Sequence, residues 1–234
     1  MVTDMKYFSQ DTINILIENR LNDSKAFYDE HKKQLDALVR EPMHNLIENV
    51  TPTLQAFDPE ILCNPKRQIS RIRRDTRFTN DKSLYRDSMW CFLGRDKRVY
   101  ENFPSFFFEI RPEYVWWGCG MYFADSAMLE SYRKMILSRD PVFLTAKDAY
   151  ENQGTFIFDM DDVYKRTKFK DEPEDFRLWL DRKSVYLAHK EDDVESAFSE
   201  NLSEQVSADL RLLAPFYKFL VTAWERKITP ERVF

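Results

Sequence analysis

Apolar residues recur at spacings of three and four through the first sixty positions, and this pattern predicts helices. Ile13, Leu16 and Ile17 form one stripe behind Ser9, a residue suited to an N-cap. Leu21-Asn22-Asp23-Ser24 reads as a turn. Asp23 or Ser24 then caps a second helix with Phe27, Leu35, Leu38 and Val39 on its apolar side. Pro42 has no N–H to give, so the helix should kink or restart near Arg40–Met43. Leu46, Ile47 and Val50 continue the stripe. Pro52 allows another break, and Leu54 and Phe57 close the helical region before Asp58-Pro59.

After Asn64-Pro65 the pattern changes. Ile69–Arg73 reads as a short, unusually charged strand, and Met89–Leu93 as a second strand ended by Gly94-Arg95-Asp96. Phe106–Ile110 and Tyr114–Tyr122 are aromatic and β-branched. With Arg111-Pro112-Glu113 between them, they predict an antiparallel hairpin. On its second arm Gly118 and Gly120 share a face, so something approaches closely there; the expectation is a packed helix.

Asp125 or Ser126 should cap a helix with Met128, Leu129, Tyr132, Met135 and Ile136 on one stripe. Asp140-Pro141 should start another, running to about Asn152 and stopped by Gly154. Residues 159–183 look acidic and irregular, with Phe176 and Trp179 as packing anchors, and Val185–Ala188 is a candidate strand. A final helix carries Leu202, Val206, Leu210, Leu213, Phe216, Leu220 and Trp224, kinked at Pro215 and frayed at its last residues. Strands and helices do not alternate one by one. The expected fold is therefore α+β, an antiparallel sheet with helices packed on it and helical segments at both ends. A single globular domain over residues 1–234 is expected, helical over 9–57, strand-rich over 66–122 and mostly helical over 125–226.

Composition narrows the class. With 43% hydrophobic and 15% aromatic residues, the chain of 234 has ample material for a core and is no solvated coil. Cys63, Cys91 and Cys119 are odd in number and contain no CxxC, which argues against a disulfide framework and a zinc site; no metal or cofactor is expected. No apolar run approaches the ~20 residues that span a bilayer, and MVTDMKYFSQ lacks the form of a secretory signal, so a cytoplasmic setting without membrane contact is expected.

Charge points to one segment. The chain carries a net −5, which argues against an all-over nucleic-acid binder, yet residues 65–98 hold eleven basic and four acidic side chains. Within that island the run from Arg71 to Arg86 places Arg71, Arg74, Asp75, Arg77, Phe78, Asp81, Lys82, Tyr85 and Arg86 within sixteen positions. Arginine suits planar, two-pronged recognition of carboxylate or phosphate. These nine residues are the candidate ligand-binding set for an anionic or phosphorylated small molecule, with Tyr85 or Phe78 against an apolar part of it. Two other readings fit the same residues. One is an enzyme acting on the anion with Asp75 or Asp81 as general base. The other is a structural Arg–Asp network in a partner-binding protein. A nucleophile elbow, HExxH and a phosphate-cradling glycine loop are all missing from this region, where Gly94 is the only glycine before residue 117.

The segment has the form R-x-x-R-D-x-R-F-[ST]-x-D-K-x-x-Y-[KR]. It resembles the signature of the domain-of-unknown-function family numbered twenty-four sixty-one. The resemblance spans roughly residues 7–227. It takes in Phe8, Thr12 and Leu16, the turn Asn22–Phe27, Gly120, Leu129 with Arg133, and Ala214-Pro215. Leu84 stands where that family usually has Pro, and Arg86 where it usually has Lys. The resemblance implies an α+β fold and no particular reaction.

Overall fold

A computed structural model describes residues 7–77, 79–121, 124–159 and 162–228. The chain divides into two compact units. One comprises Met1–Leu93, Phe107–Trp117 and Lys190–Ala208, the other Gly94–Phe106, Gly118–His189 and Asp209–Phe234. The fold is α+β, with helices at both ends and a five-stranded antiparallel sheet.

In the first unit, α1 (Gln10–Asn22) starts at Ser9, whose backbone N–H donates to Thr12 Oγ1 at 3.0 Å. Asp23 ends α1 in the left-handed region, with φ 44° and its N–H on the Asn19 carbonyl. The next helix, α2 (Lys25–Leu35), is capped by Ser24, whose side chain accepts from the Phe27 N–H. It leads into a π-helical turn, Asp36–Arg40, and then α3 (Glu41–Gln55). Pro42 explains the turn. An uninterrupted α-helix would have the residue 42 N–H bond the Leu38 carbonyl, and proline cannot. The Thr12 hydroxyl donates to that carbonyl instead, at 2.8 Å. The expected restart thus takes the form of a widened turn. Pro52 produces no break, since α3 runs through it to Gln55. Pro52 and Glu48, whose carbonyl loses its donor, are both exposed, so water can satisfy the carbonyl. Leu35, Val39, Met43, Leu46, Ile47, Val50 and Leu54 are buried, and α3 packs against the first strand.

A short helical turn, α4 (Pro65–Gln68), precedes the basic segment. The sheet follows as β1 (Met89–Leu93), β2 (Ser105–Ile110), β3 (Val115–Met121), β4 (Ile157–Phe158) and β5 (Val185–Glu191), in the order β1-β2-β3-β5-β4. The hairpin predicted around Arg111-Pro112-Glu113 is β2–β3; its last expected residue, Tyr122, lies outside the described residues. Ile69–Arg73 is not a continuous strand. It is extended and makes two isolated bridges, Ile69 to Cys91 and Arg73 to Tyr85. The glycines of β3 face backbone, not the expected helix. A Cβ on Gly118 would lie 2.1 Å from the Leu187 carbonyl oxygen, and one on Gly120 would lie 2.3 Å from Tyr186 Cα, both in β5.

The second unit contains α5 (Ser126–Leu137), capped by Asp125, and α6 (Pro141–Asn152), capped by Asp140. The stretch expected to be irregular holds α7 (Glu174–Leu180), a helix too short and too acidic at its start for the apolar period to show. Phe143, Tyr150, Phe158, Phe216 and Phe219 surround the Trp179 ring. The last helical stretch is two helices, α8 (Leu202–Leu212) and α9 (Ala214–Ile228), separated just before Pro215, and α9 packs on α5 and α6. Residues 231–234, expected to fray, lie outside the described residues. Among the described residues no helix is long and apolar enough to cross a membrane.

All three cysteines are free thiols, with Cys63 exposed and Cys91 and Cys119 buried on β1 and β3. Burial pushes the Cys91 thiol up to about 12 and raises Cys119 well above its ordinary value. Since the thiolate is the reactive form, iodoacetamide should add one adduct to the native protein, on Cys63, and three in denaturant. Prompt labelling of Cys91 or Cys119 under native conditions would contradict the strand packing.

Candidate functional site

The motif runs out and back along its own backbone. Arg74 N–H donates to the Leu84 carbonyl at 2.7 Å and Arg86 N–H to the Ile72 carbonyl at 3.0 Å, on either side of the Arg73–Tyr85 bridge. Opposed residues of an antiparallel pair share a face. Arg73 and Tyr85 therefore lie on one side, and Ile72, Arg74, Leu84 and Arg86 on the other.

The end of α1 grips this pair. Asp23 Oδ1 accepts from the N–H groups of Leu84 at 2.6 Å and Tyr85 at 3.0 Å. Arg20, one turn earlier, donates to Asp81 Oδ2 at 2.9 Å and to the Tyr85 carbonyl at 3.4 Å. The Tyr85 ring is buried, stacked on Tyr28 of α2 at 5.1 Å, and burial raises its phenol. Tyr85 is thus a packing residue that anchors the segment.

The arginines have different fates. Arg74 pairs with Asp81 and donates to Ser83 Oγ at 3.0 Å. Asp81 also accepts the Ser83 N–H and hydroxyl. These Ser83 bonds and then Arg74 hold its carboxyl well below the usual range. Arg77 closes a two-pronged pair on Asp75, at 2.9 and 2.7 Å, and this bonding lowers the Asp75 carboxyl to about 2. Lys82 donates to the Thr76 carbonyl at 2.9 Å. Phe78 lies outside the described residues. For both carboxyls the folded value is depressed. The stabilisation that the Asp81 bonds give is therefore present above the ordinary carboxylate pKa of ~3.9 and is lost as pH falls through the depressed value.

The Asp75–Arg77 pair is exposed, with 54% and 75% of its side-chain surface in solvent. Sequence alone leaves open a buried pair whose loss would be costly. Here solvent screens it, so Asp75→Asn should unfold at the wild-type temperature at pH 7, within the error of a thermal scan. A clear fall would show that the pair supports the loop.

Arg71 and Arg73 are exposed and face away from this network. Arg71 lines a groove of about 540 Å³ together with Asp36, Arg40, Glu41, His44 and Lys66. It also lines an adjoining groove of about 230 Å³, with Lys25, Tyr28, Asp29, Arg40, Arg73 and Tyr85. The two grooves together present five cationic side chains and three carboxylates. Arg40 is bonded to Asp36 at 2.8 Å and to the Tyr28 hydroxyl at 3.2 Å, and Lys25 sits 3.8 Å from Asp29. Among the described residues the side chains of Lys66, Arg71 and Arg73 have no hydrogen bond or ion pair. The π-helical turn supplies Asp36 and Arg40 to the groove wall, and such turns recur at functional sites.

Arg86, on the other face, is half-buried and its Nε meets no acceptor. Of the groove residues, Arg40, His44 and Tyr28 carry no mark in the sequence beyond the restart at Pro42. Among the described residues no group of three His, Cys, Asp or Glu side chains is placed to hold a metal ion.

A family model described as a conserved hypothetical protein (DUF2461) matches residues 11–219 of the chain. No curated protein matches it.

Proposed function

We propose, for a chain that belongs to the DUF2461 family, that the groove beside the motif binds a phosphorylated small molecule. The observation that carries this reading is the trio Lys66, Arg71 and Arg73. These three cations come from two adjoining segments; Lys66 lines the larger groove, Arg73 the smaller and Arg71 both, and none has a bonded carboxylate among the described residues. Arginine offers a phosphate two parallel donors, and lysine adds a compact charge. Tyr28 and Ile69 give the rest of such a ligand an apolar wall.

In this reading the motif residues divide their labour. Arg71 contacts the ligand, Arg74, Asp81 and Tyr85 hold the segment in shape, and Asp75 and Arg77 form an exposed local pair. Asp75 and Asp81 are kept ionised by hydrogen-bond donors, which makes them weak bases, so binding is favoured over acid–base catalysis by either.

Thermal unfolding of the full chain in rising inorganic phosphate tests this, with chloride at matched ionic strength as reference. Phosphate should stabilise saturably, by about 2.7 kcal/mol at a hundred times its dissociation constant. Arg71→Met and Lys66→Met should each weaken the phosphate midpoint about tenfold, or about 1.4 kcal/mol. Arg98→Ala, which removes an exposed residue paired with Asp96, should leave it unchanged. An equal response to chloride would mean screening alone and end the reading.

A further inference from the structure

We infer that the opposite face of the motif carries a separate site for a small aromatic carboxylate. Arg86 and Arg111 would hold the carboxylate, with the Trp116 and Phe107 rings beside its flat body. This site goes beyond the phosphate groove, which lies on the Arg73–Tyr85 side of the same backbone pair.

Arg86 is the starting point. It is a half-buried cation whose guanidinium has no hydrogen bond among the described residues, and whose Nε is shut off from solvent. Its surroundings make this costly. Burial, Arg74 and Arg111 all disfavour its charge, and Glu109 alone among its strong neighbours favours it. Glu109 is already shared. Its Oε2 accepts the Trp116 indole N–H at 2.7 Å, and its Oε1 faces Arg111 Nε at 3.6 Å. Arg74 is neutralised by Asp81. Arg111 has more support, from the Tyr114 hydroxyl at 2.8 Å and from the field of Asp87 as well as Glu109. Arg86 is therefore the one of these three guanidiniums with no bonded partner among the described residues.

A monoanion fits that deficit better than a phosphate dianion, because Glu109 and Asp87 already stand close by. The terminal nitrogens of Arg86 form the planar edge that a carboxylate matches. The neighbouring surface is aromatic. Trp116 and Phe107 are half-exposed and lie edge to face at 4.8 Å, with Tyr114 at 6.2 Å from Trp116. Aromatic rings beside guanidiniums suit a flat ring carrying a carboxylate.

The test uses benzoate, cyclohexanecarboxylate and acetate as probes on the full chain, read by the thermal midpoint against chloride at equal ionic strength. Benzoate should raise the midpoint saturably, cyclohexanecarboxylate less, and acetate no more than chloride. Arg86→Met should weaken the benzoate response about tenfold or more. It should also raise the midpoint of the ligand-free protein, because an apolar side chain of similar length replaces an unpaired, half-buried charge. A residue needed only for structure would lower it. Trp116→Leu should erase the preference for benzoate over cyclohexanecarboxylate. Arg71→Met should leave benzoate binding intact, which separates this site from the phosphate groove. No saturable benzoate response, or an undiminished one in Arg86→Met, would overturn the inference.

Discussion

Trp179→Ala is expected to lower the free energy of unfolding by about 3–5 kcal/mol. The ring is 1% exposed. Its nearest ring partners are Phe158 at 4.9 Å, Phe143 at 5.3 Å and Tyr150 at 5.5 Å, with Phe216 and Phe219 behind them. These aromatics come from α6, β4 and α9, so removing the indole opens a cavity that no single element can close. The Trp179 carbonyl also accepts the Tyr132 hydroxyl at 3.3 Å, and a shift of α7 would strand that buried hydroxyl. Trp179→Phe keeps an aromatic ring in place and should cost clearly less. Denaturant unfolding at 25 °C measures both. A cost for the alanine variant near that of an exposed site would mean that the cluster repacks freely, contrary to its edge-to-face geometry.

Asp23→Ala is expected to cost about 2–4 kcal/mol, through two mechanisms. The carboxylate accepts two motif N–H groups, and charge-assisted bonds of this kind contribute about 1.5–3 kcal/mol each before relaxation. The residue also stands at φ 44°, a conformation that Asp and Asn tolerate far better than Ala. Three variants separate the terms. Asn retains an oxygen and the left-handed preference and should be the mildest. Gly relieves the backbone but loses the acceptor, and Ala loses both. Because Asp23 holds Tyr85, and Tyr85 stands opposite Arg73, the glycine and alanine variants should also weaken the response to phosphate. A glycine variant as stable as wild type would show that the two N–H groups find water at no cost.

Much of the local structure is written in the order of the residues. The Ser9, Ser24, Asp125 and Asp140 caps, the Met128–Ile136 stripe, the Met89–Leu93 strand and the hairpin around Pro112 all depend on neighbours within a few positions. Such preferences act whatever the rest of the chain does. The family motif is legible for the same reason, being contiguous. Pro42 shows where local reading stops. Its missing N–H announces a fault in the helix, yet the fault becomes a π-helical turn because Thr12, thirty residues earlier, meets the orphaned carbonyl.

The sequence alone thus determined an α+β chain with helical ends, its main caps and strands, and an arginine-rich segment as the place to look. Tertiary structure decided what those arginines do. Arg74 and Arg77 lie three positions apart and look equivalent in the sequence. One joins Asp81, Ser83 and the α1 end, while the other forms an exposed local pair. Arg71 opens on a groove whose other wall is a helix turn thirty residues upstream, and Arg86 feels the charges of Glu109 and Arg111 from a hairpin that follows it. The glycines of β3 likewise signalled a close approach, but only the fold supplied the β5 backbone as the neighbour. The physical reason is common to all of these. A charge or a missing Cβ is defined by the residue, but its partner is set by which distant segments the core brings within a few ångströms.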